Sequence, residues 1–167
     1  MLYAPKRYLI LIEAKFRSGN TSANSSKNDI PGRSPRTREG ILERYRAELL
    51  PPDSILTPAA NVPLFSQLYR NLVFAIWMAN KLDVEWRLVN LTSSLLSSEQ
   101  SVEQLTTFTK AVLPENMRQR FVRYTWEQLF RDHVEGNDDL QELDTYLRFK
   151  SANCGRAFDI LTEALRC

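Results

Sequence analysis

Residues 8–16 read Tyr-Leu-Ile-Leu-Ile-Glu-Ala-Lys-Phe (YLILIEAKF), and the fold turns on how this stretch is placed. Tyr8 to Ile12 is apolar at every position, so both alternating faces are apolar. That pattern predicts a central strand covered on both sides, whereas a strand with one wet face would alternate. The run ends on Glu13 and Lys15. Side chains alternate along a strand, so these two share a face, with Cα atoms about 6.6 Å apart at ~3.3 Å per residue. In α/β sheets the carboxyl end of a buried strand commonly lines the functional crevice. A carboxylate there can hold Mg²⁺ together with waters and a phosphate oxygen. A neighbouring lysine can orient or deprotonate a water, or neutralise charge developing on phosphorus. The competing reading is an ordinary surface pair of little energetic weight.

Downstream, Arg17 to Arg38 (RSGNTSANSSKNDIPGRSPRTR) carries Arg17, Lys27, Arg33, Arg36 and Arg38 against the single acid Asp29. A connection this long is usually functional or mobile, and it is expected to be a flexible basic loop over 17–38. A solvated insertion or a nucleic-acid contact would both explain it. A short amphipathic helix follows, closed by Pro51-Pro52. A second helix is predicted from Leu64 to Leu82, with Pro63 at its start and a buried second half. Gln67, Arg70 and Asn71 share one face near its beginning through their i, i+3, i+4 spacing. Val84 to Leu91 (VEWRLVNL) has strand alternation. Ser97-Ser-Glu-Gln100 matches a capping box opening a helix to about Val112, and RFVRYT reads as a further strand. Thr125-Trp-Glu-Gln128 is a second capping box, with a helix through His133 and a break at Gly136-Asn137. Helices are expected over Asp138–Lys150 and Gly155–Arg166. The prediction is a single α/β domain over 1–167, a small mixed central sheet flanked by helices, with C-terminal helices over 137–167.

The whole chain is 167 residues, 43% hydrophobic and 25% charged, ordinary for a protein with a real core. Its net charge of +2 is unevenly spread: residues 1–50 hold ten Lys/Arg against five Asp/Glu, and the remainder twelve against fifteen. The basic end suggests an anionic partner such as nucleic acid. With two cysteines, Cys154 and Cys167, and one histidine, a structural zinc site is not expected. The longest apolar stretch, Leu72 to Ala79, falls far short of the roughly 20 residues a spanning helix requires. No membrane partner and a cytoplasmic location are expected. His133 near a helix end reads as a favourable C-terminal cation before it reads as a catalytic base. Trp77, Trp86 and Trp126 read as core.

The segment ILIEAKFRSGN closely resembles the second active-site strand of the PD-(D/E)xK nuclease superfamily, the restriction-endonuclease-like fold, in which a strand ends in hydrophobic-Glu-x-Lys. PLFSQLYRNLVFAIWMA resembles the helix that follows this strand in several branches, where a glutamine, often with a nearby tyrosine, faces the site. Here those positions are Gln67 and Tyr69. RYTWEQLF and LRFKSANCGRAFDIL also look like the C-terminal half of bacterial proteins of this type. The resemblance implies a Mg²⁺-dependent DNA phosphodiesterase with Glu13 on the metal, Lys15 on the water or transition state, and Gln67 in support. It also implies DNA as partner, contacted by Arg17, Lys27, Arg33, Arg36 and Arg38. The superfamily's metal-binding Asp lies on the preceding strand, yet only Met1 to Ile12 come before Glu13 and none of them is acidic. The core is therefore expected to be N-terminally incomplete, with Asp29 and Glu43 the nearest downstream acids. The alternative is a non-catalytic nucleic-acid-binding or protein-interaction module of the same fold. An unpaired strand in such a core would favour a homodimer or a partner subunit.

Overall fold

The computed structural model describes residues 6–15, 38–56, 65–153 and 158–161. The elements in chain order are β1 (Tyr8–Ala14), α1 (Arg38–Leu49), α2 (Ser66–Leu82), β2 (Glu85–Thr92), α3 (Glu99–Val112), β3 (Phe121–Thr125), α4 (Trp126–Leu129) and α5 (Gln141–Asn153). Single 3-10 segments lie at Ser94–Leu96, Glu115–Arg120 and Asp138–Leu140. The helix begun by α4 widens into a π turn over Phe130–Val134.

The three strands form one sheet in the order β1-β2-β3, parallel throughout. The described sheet is thus purely parallel rather than mixed, as connections carrying helices demand. Tyr8 stands beside Glu85 and Glu13 beside Asn90, while Asn90 in turn stands beside Arg123. Alternation then sorts the side chains. Leu9 and Leu11 of β1, Trp86 and Leu88 of β2 and Phe121 of β3 lie on one face, packed into the larger core with Leu68, Leu72, Phe108 and Val112 of α2 and α3. Val89, Leu91 and Tyr124 lie on the other, against Trp126, Phe130, Val134, Leu147, Phe158 and Ile160.

The expectation of a central, doubly covered β1 is corrected. Among the described residues β1 is an edge strand, and β2 is the central one. Its inner residues are half-buried, but Tyr8, Ile10 and Ile12 on the outer face are 44%, 56% and 61% exposed. The physical reason is coverage: the second core sits over β2 and β3, so among the described residues the outer face of β1 has no layer above it. Arg87 stacks its guanidinium 5.4 Å from the Tyr8 ring centroid and shields part of this face.

Local chemistry fixes the element ends. α2 stops where Asp83 adopts a left-handed conformation (φ 52°), which aspartate tolerates better than most side chains. The N-cap of α3 is Ser98, one residue beyond the predicted position, its hydroxyl accepting from the Ser101 amide at 3.2 Å. The Thr125 capping box forms as predicted, Thr125 and Gln128 exchanging side-chain-to-backbone bonds. Trp86 and Trp126 are buried and Trp77 packs half-buried against the larger core.

The last turn of β1 is held from two sides. The Lys15 amide donates to the Leu91 carbonyl at 2.8 Å, and the Lys15 carbonyl accepts from the Trp126 indole at 2.9 Å. Nearby, Glu127 is 2% exposed. Its carboxylate accepts from the Ser93 hydroxyl (2.9 Å), the Ser94 amide (2.9 Å) and the Asp159 amide (3.2 Å), tying the end of β2 to α4 and to the 158–161 segment. No helix of the described residues is long and apolar enough to cross a membrane.

Candidate functional site

Glu13 and Lys15 lie on the face of β1 that α2 covers, at the carboxyl end of the strand. Their side chains are 14% and 17% exposed, and the carboxylate and ammonium stand 3.3 Å apart. They are withdrawn from bulk water yet reachable, which strengthens the pair relative to a surface one. Each is held by a different residue of α2. Asn71 donates its amide to Glu13 Oε2 at 2.5 Å, and Lys15 Nζ donates to Gln67 Oε1 at 2.5 Å. Gln67 and Asn71 are one helical turn apart and so present to the same strand end. The positive end of the α2 dipole points toward this corner and favours anions there.

Gln67 is therefore brought to Lys15 as the sequence predicts, and Asn71, noted only as part of the polar patch, is the direct partner of Glu13. Tyr69 does not join them: it is 2% exposed within the larger core cluster. Arg70 is exposed on the helix surface. Arg17, Lys27, Arg33, Arg36 and Asp29 lie outside the described residues, Arg38 opens α1, and Glu43 lies within α1.

A further polar residue occupies this face beneath the pair. Asn90, beside Glu13 on β2, is 0% exposed, and neither its Oδ1 nor its Nδ2 has a hydrogen-bond partner among the described residues. Carrying such a group unpaired costs about 1–3 kcal/mol. A signal was present in the sequence, since Asn90 is in phase with Trp86 and Leu88 on the core side of an alternating strand.

Among the described residues no group of three or more His, Cys, Asp and Glu is placed to hold a metal. The acidic donor at this strand end is the Glu13 carboxylate, with Oε1 3.3 Å from the Lys15 ammonium and Oε2 accepting from Asn71, while Asn90 behind it is fully buried. Mg²⁺ takes oxygen ligands, retains several waters and is commonly bound through one or two carboxylates plus a substrate phosphate. A cation on Glu13 would have to displace Lys15 or Asn71 from the carboxylate and be completed by water and phosphate. The donors present do not fit a dehydrated cation caged by protein alone.

His133 belongs elsewhere. It is exposed, with Nε2 3.4 Å from the Tyr124 hydroxyl, and Tyr124 donates to Asp132 at 2.5 Å. Tyr124 projects from the sheet face opposite Glu13, so no proton relay joins His133 to Lys15. The bond to Asp132 raises the Tyr124 pKa above its ordinary value, and the phenol holds the Asp132 carboxyl below the usual carboxylate range.

Comparison with protein-family models, curated proteins and solved structures yields no match to this chain. The functional reading rests on the site's own chemistry and on the sequence resemblance.

Proposed function

We propose that this chain is a nuclease-like domain that binds a DNA phosphodiester with Mg²⁺ at Glu13 and Lys15. The observation that carries the reading is the paired support of these residues by one helix: Asn71 on the Glu13 carboxylate and Gln67 on the Lys15 ammonium. A surface Glu-x-Lys pair has no need of two amide side chains fixing its two charges separately. Preorganised charge at the mouth of a parallel sheet is what phosphoryl chemistry uses.

Each residue then has a role. Glu13 holds the cation, and Asn71 fixes the carboxylate through Oε2 while Oε1 stands 3.3 Å from the Lys15 ammonium. Lys15 carries its positive charge to the phosphate oxygens. Gln67 occupies one of the three ammonium donors, setting the direction of the rest. The cation, when bound, supplies Lewis-acid polarisation of the phosphate. Arg17, Lys27, Arg33, Arg36 and Arg38 are assigned to DNA phosphates, so affinity falls as salt rises.

Among the described residues no group of three or more metal-ligating side chains forms around Glu13, which favours a second reading, a phosphodiester-binding module without cleavage. Incubation with linear and supercoiled DNA separates the two. Mg²⁺-dependent cleavage, lost in Lys15→Ala with an unchanged circular-dichroism spectrum, supports hydrolysis. Mg²⁺-enhanced binding without cleavage supports the module. Binding that is indifferent to Mg²⁺, Glu13 and Lys15 contradicts both.

A further inference from the structure

A cavity of about 250 Å³ opens between α3 and β3, at the edge of the described sheet opposite β1. Its floor is apolar, made by Val102 and Leu105 of α3 and Phe121 of β3. Its rim carries three cations, the exposed Lys110 and Arg123 and the half-buried Arg118, and no acidic residue lines it. Arg118 is held in place by the end of α3: its Nε donates to the Leu113 carbonyl at 3.2 Å and its Nη2 to the Lys110 carbonyl at 3.3 Å. Those bonds use two of the five guanidinium donors and leave the others for a ligand. Among the described residues the Lys110 and Arg123 side chains have no hydrogen-bond or ion-pair partner. Arg123 alternates in phase with Phe121, on the face of β3 that packs into the larger core, where an apolar residue would extend the packing. Three like charges around one apolar cavity repel one another, and an anion seated among them relieves that repulsion.

We propose that this cavity binds a small amphipathic anion, with its apolar body against Val102, Leu105 and Phe121 and its terminal carboxylate or phosphate among Lys110, Arg118 and Arg123. The volume selects a small ligand, since ordinary small-molecule pockets run from about 300 Å³ upward. The charge selects the head group, because guanidinium groups present a planar fork that matches carboxylate and phosphate oxygens. Arg118, already fixed by two backbone carbonyls, meets such a head group without the entropy cost of ordering a free side chain. An inward-pointing charge on an edge strand can also serve to block pairing with another strand. That role accounts for Arg123 alone and gives no reason for Lys110 and Arg118 to face the same cavity. The site is independent of the Glu13–Lys15 corner, which lies at the other edge of the described sheet.

The test titrates the full chain with octanoate, octyl phosphate and octanol, followed by amide and methyl NMR. Both anions are expected to shift the Val102, Leu105 and Phe121 resonances saturably and to bind at least tenfold more tightly than octanol. Shortening octanoate to hexanoate is expected to weaken binding by roughly fourfold for each CH₂ removed. The double substitution Lys110→Gln, Arg123→Gln is expected to keep the native spectrum and to weaken octanoate at least tenfold, and Val102→Trp, which fills the cavity, to abolish binding. Octanol bound as tightly as octanoate overturns the proposal, as do shifts gathered on Tyr8, Ile10 and Ile12 instead. Self-association of Arg123→Gln with native octanoate affinity assigns Arg123 to edge protection and also overturns it. If Val102→Trp does not fold, the double substitution decides alone, and native octanoate affinity in it contradicts the proposal.

Discussion

Asn71 and Glu13 meet at 2.5 Å although 58 positions separate them, and the bond joins the first turns of α2 to the last turn of an edge strand. One turn earlier on the same helix, Gln67 holds Lys15. The relative position of β1 and α2 therefore sets the geometry of both charges, and anything that loosens the strand end should be felt at the site.

Trp126 supplies one such restraint, since its indole bonds the Lys15 carbonyl. Trp126→Phe keeps much of the ring packing against Phe158 but removes that donor. A loss of about 1 kcal/mol in denaturant unfolding is expected, together with faster amide exchange at Lys15. Unchanged exchange at Lys15 would show that the bond does not restrain the strand end.

Glu127 is expected to be structural. Its carboxylate satisfies three donors from two segments, Ser93–Ser94 and Asp159. Glu127→Ala leaves them unpaired and should cost about 3 kcal/mol or more, measured by urea unfolding. A cost within about 0.5 kcal/mol, the range of an ordinary surface change, would contradict this role.

The Tyr124–Asp132 bond gives a pH signature. The folded-state pKa of Asp132 is lowered from 3.8, so its contribution is present above that pH and is lost as pH falls through the lower folded value. That of Tyr124 is raised from 10.0, so its contribution is present below that pH and is lost as pH rises through the higher folded value. Tyr124→Phe should therefore be less stable than the native chain by a constant amount between these limits, with the difference shrinking beyond each. A difference that varies between these limits would contradict the assignment to the Tyr124–Asp132 bond.

The outer face of β1 exposes Ile10 and Ile12 along an edge that is unpaired among the described residues, the kind of surface on which strands of two copies pair. Ile12→Lys should change stability by no more than about 0.5 kcal/mol, and should lower self-association in sedimentation at high protein concentration. Identical sedimentation of the two proteins, both monomeric, would contradict homodimer formation through this edge.

Much of this architecture was legible in the sequence because local signals and tertiary structure agree. The Thr125 capping box, the strand alternation around Trp86 and Leu88 and the apolar second half of α2 all formed where expected. β1 was legible as a strand but misplaced within the sheet. Continuous apolarity states that neither face suits water, not which face is covered, and here Tyr8, Ile10 and Ile12 lack a covering layer among the described residues. The Glu13–Lys15 pair and Gln67 could be named from alternation and the resemblance. Asn71 was visible only as one of three polar residues on a helix face, because its choice of Glu13 depends on the packing of α2 over β1. Glu127 gave no local sign, since its donors lie 32 to 34 positions away. Asn90 did give one, a polar residue on the core phase of a strand.

The central claim is that Glu13 and Lys15 form one phosphodiester and Mg²⁺ site supported by Asn71 and Gln67. The most direct measurement is the affinity of the full chain for a fluorescent DNA duplex, by anisotropy, in Mg²⁺ and in EDTA, for the native protein, Glu13→Gln and Lys15→Ala. The account predicts tighter binding in Mg²⁺ for the native chain, loss of that gain in Glu13→Gln, and at least tenfold weaker binding in Lys15→Ala under both conditions. Equal affinities for all three proteins, unaffected by Mg²⁺, would contradict it.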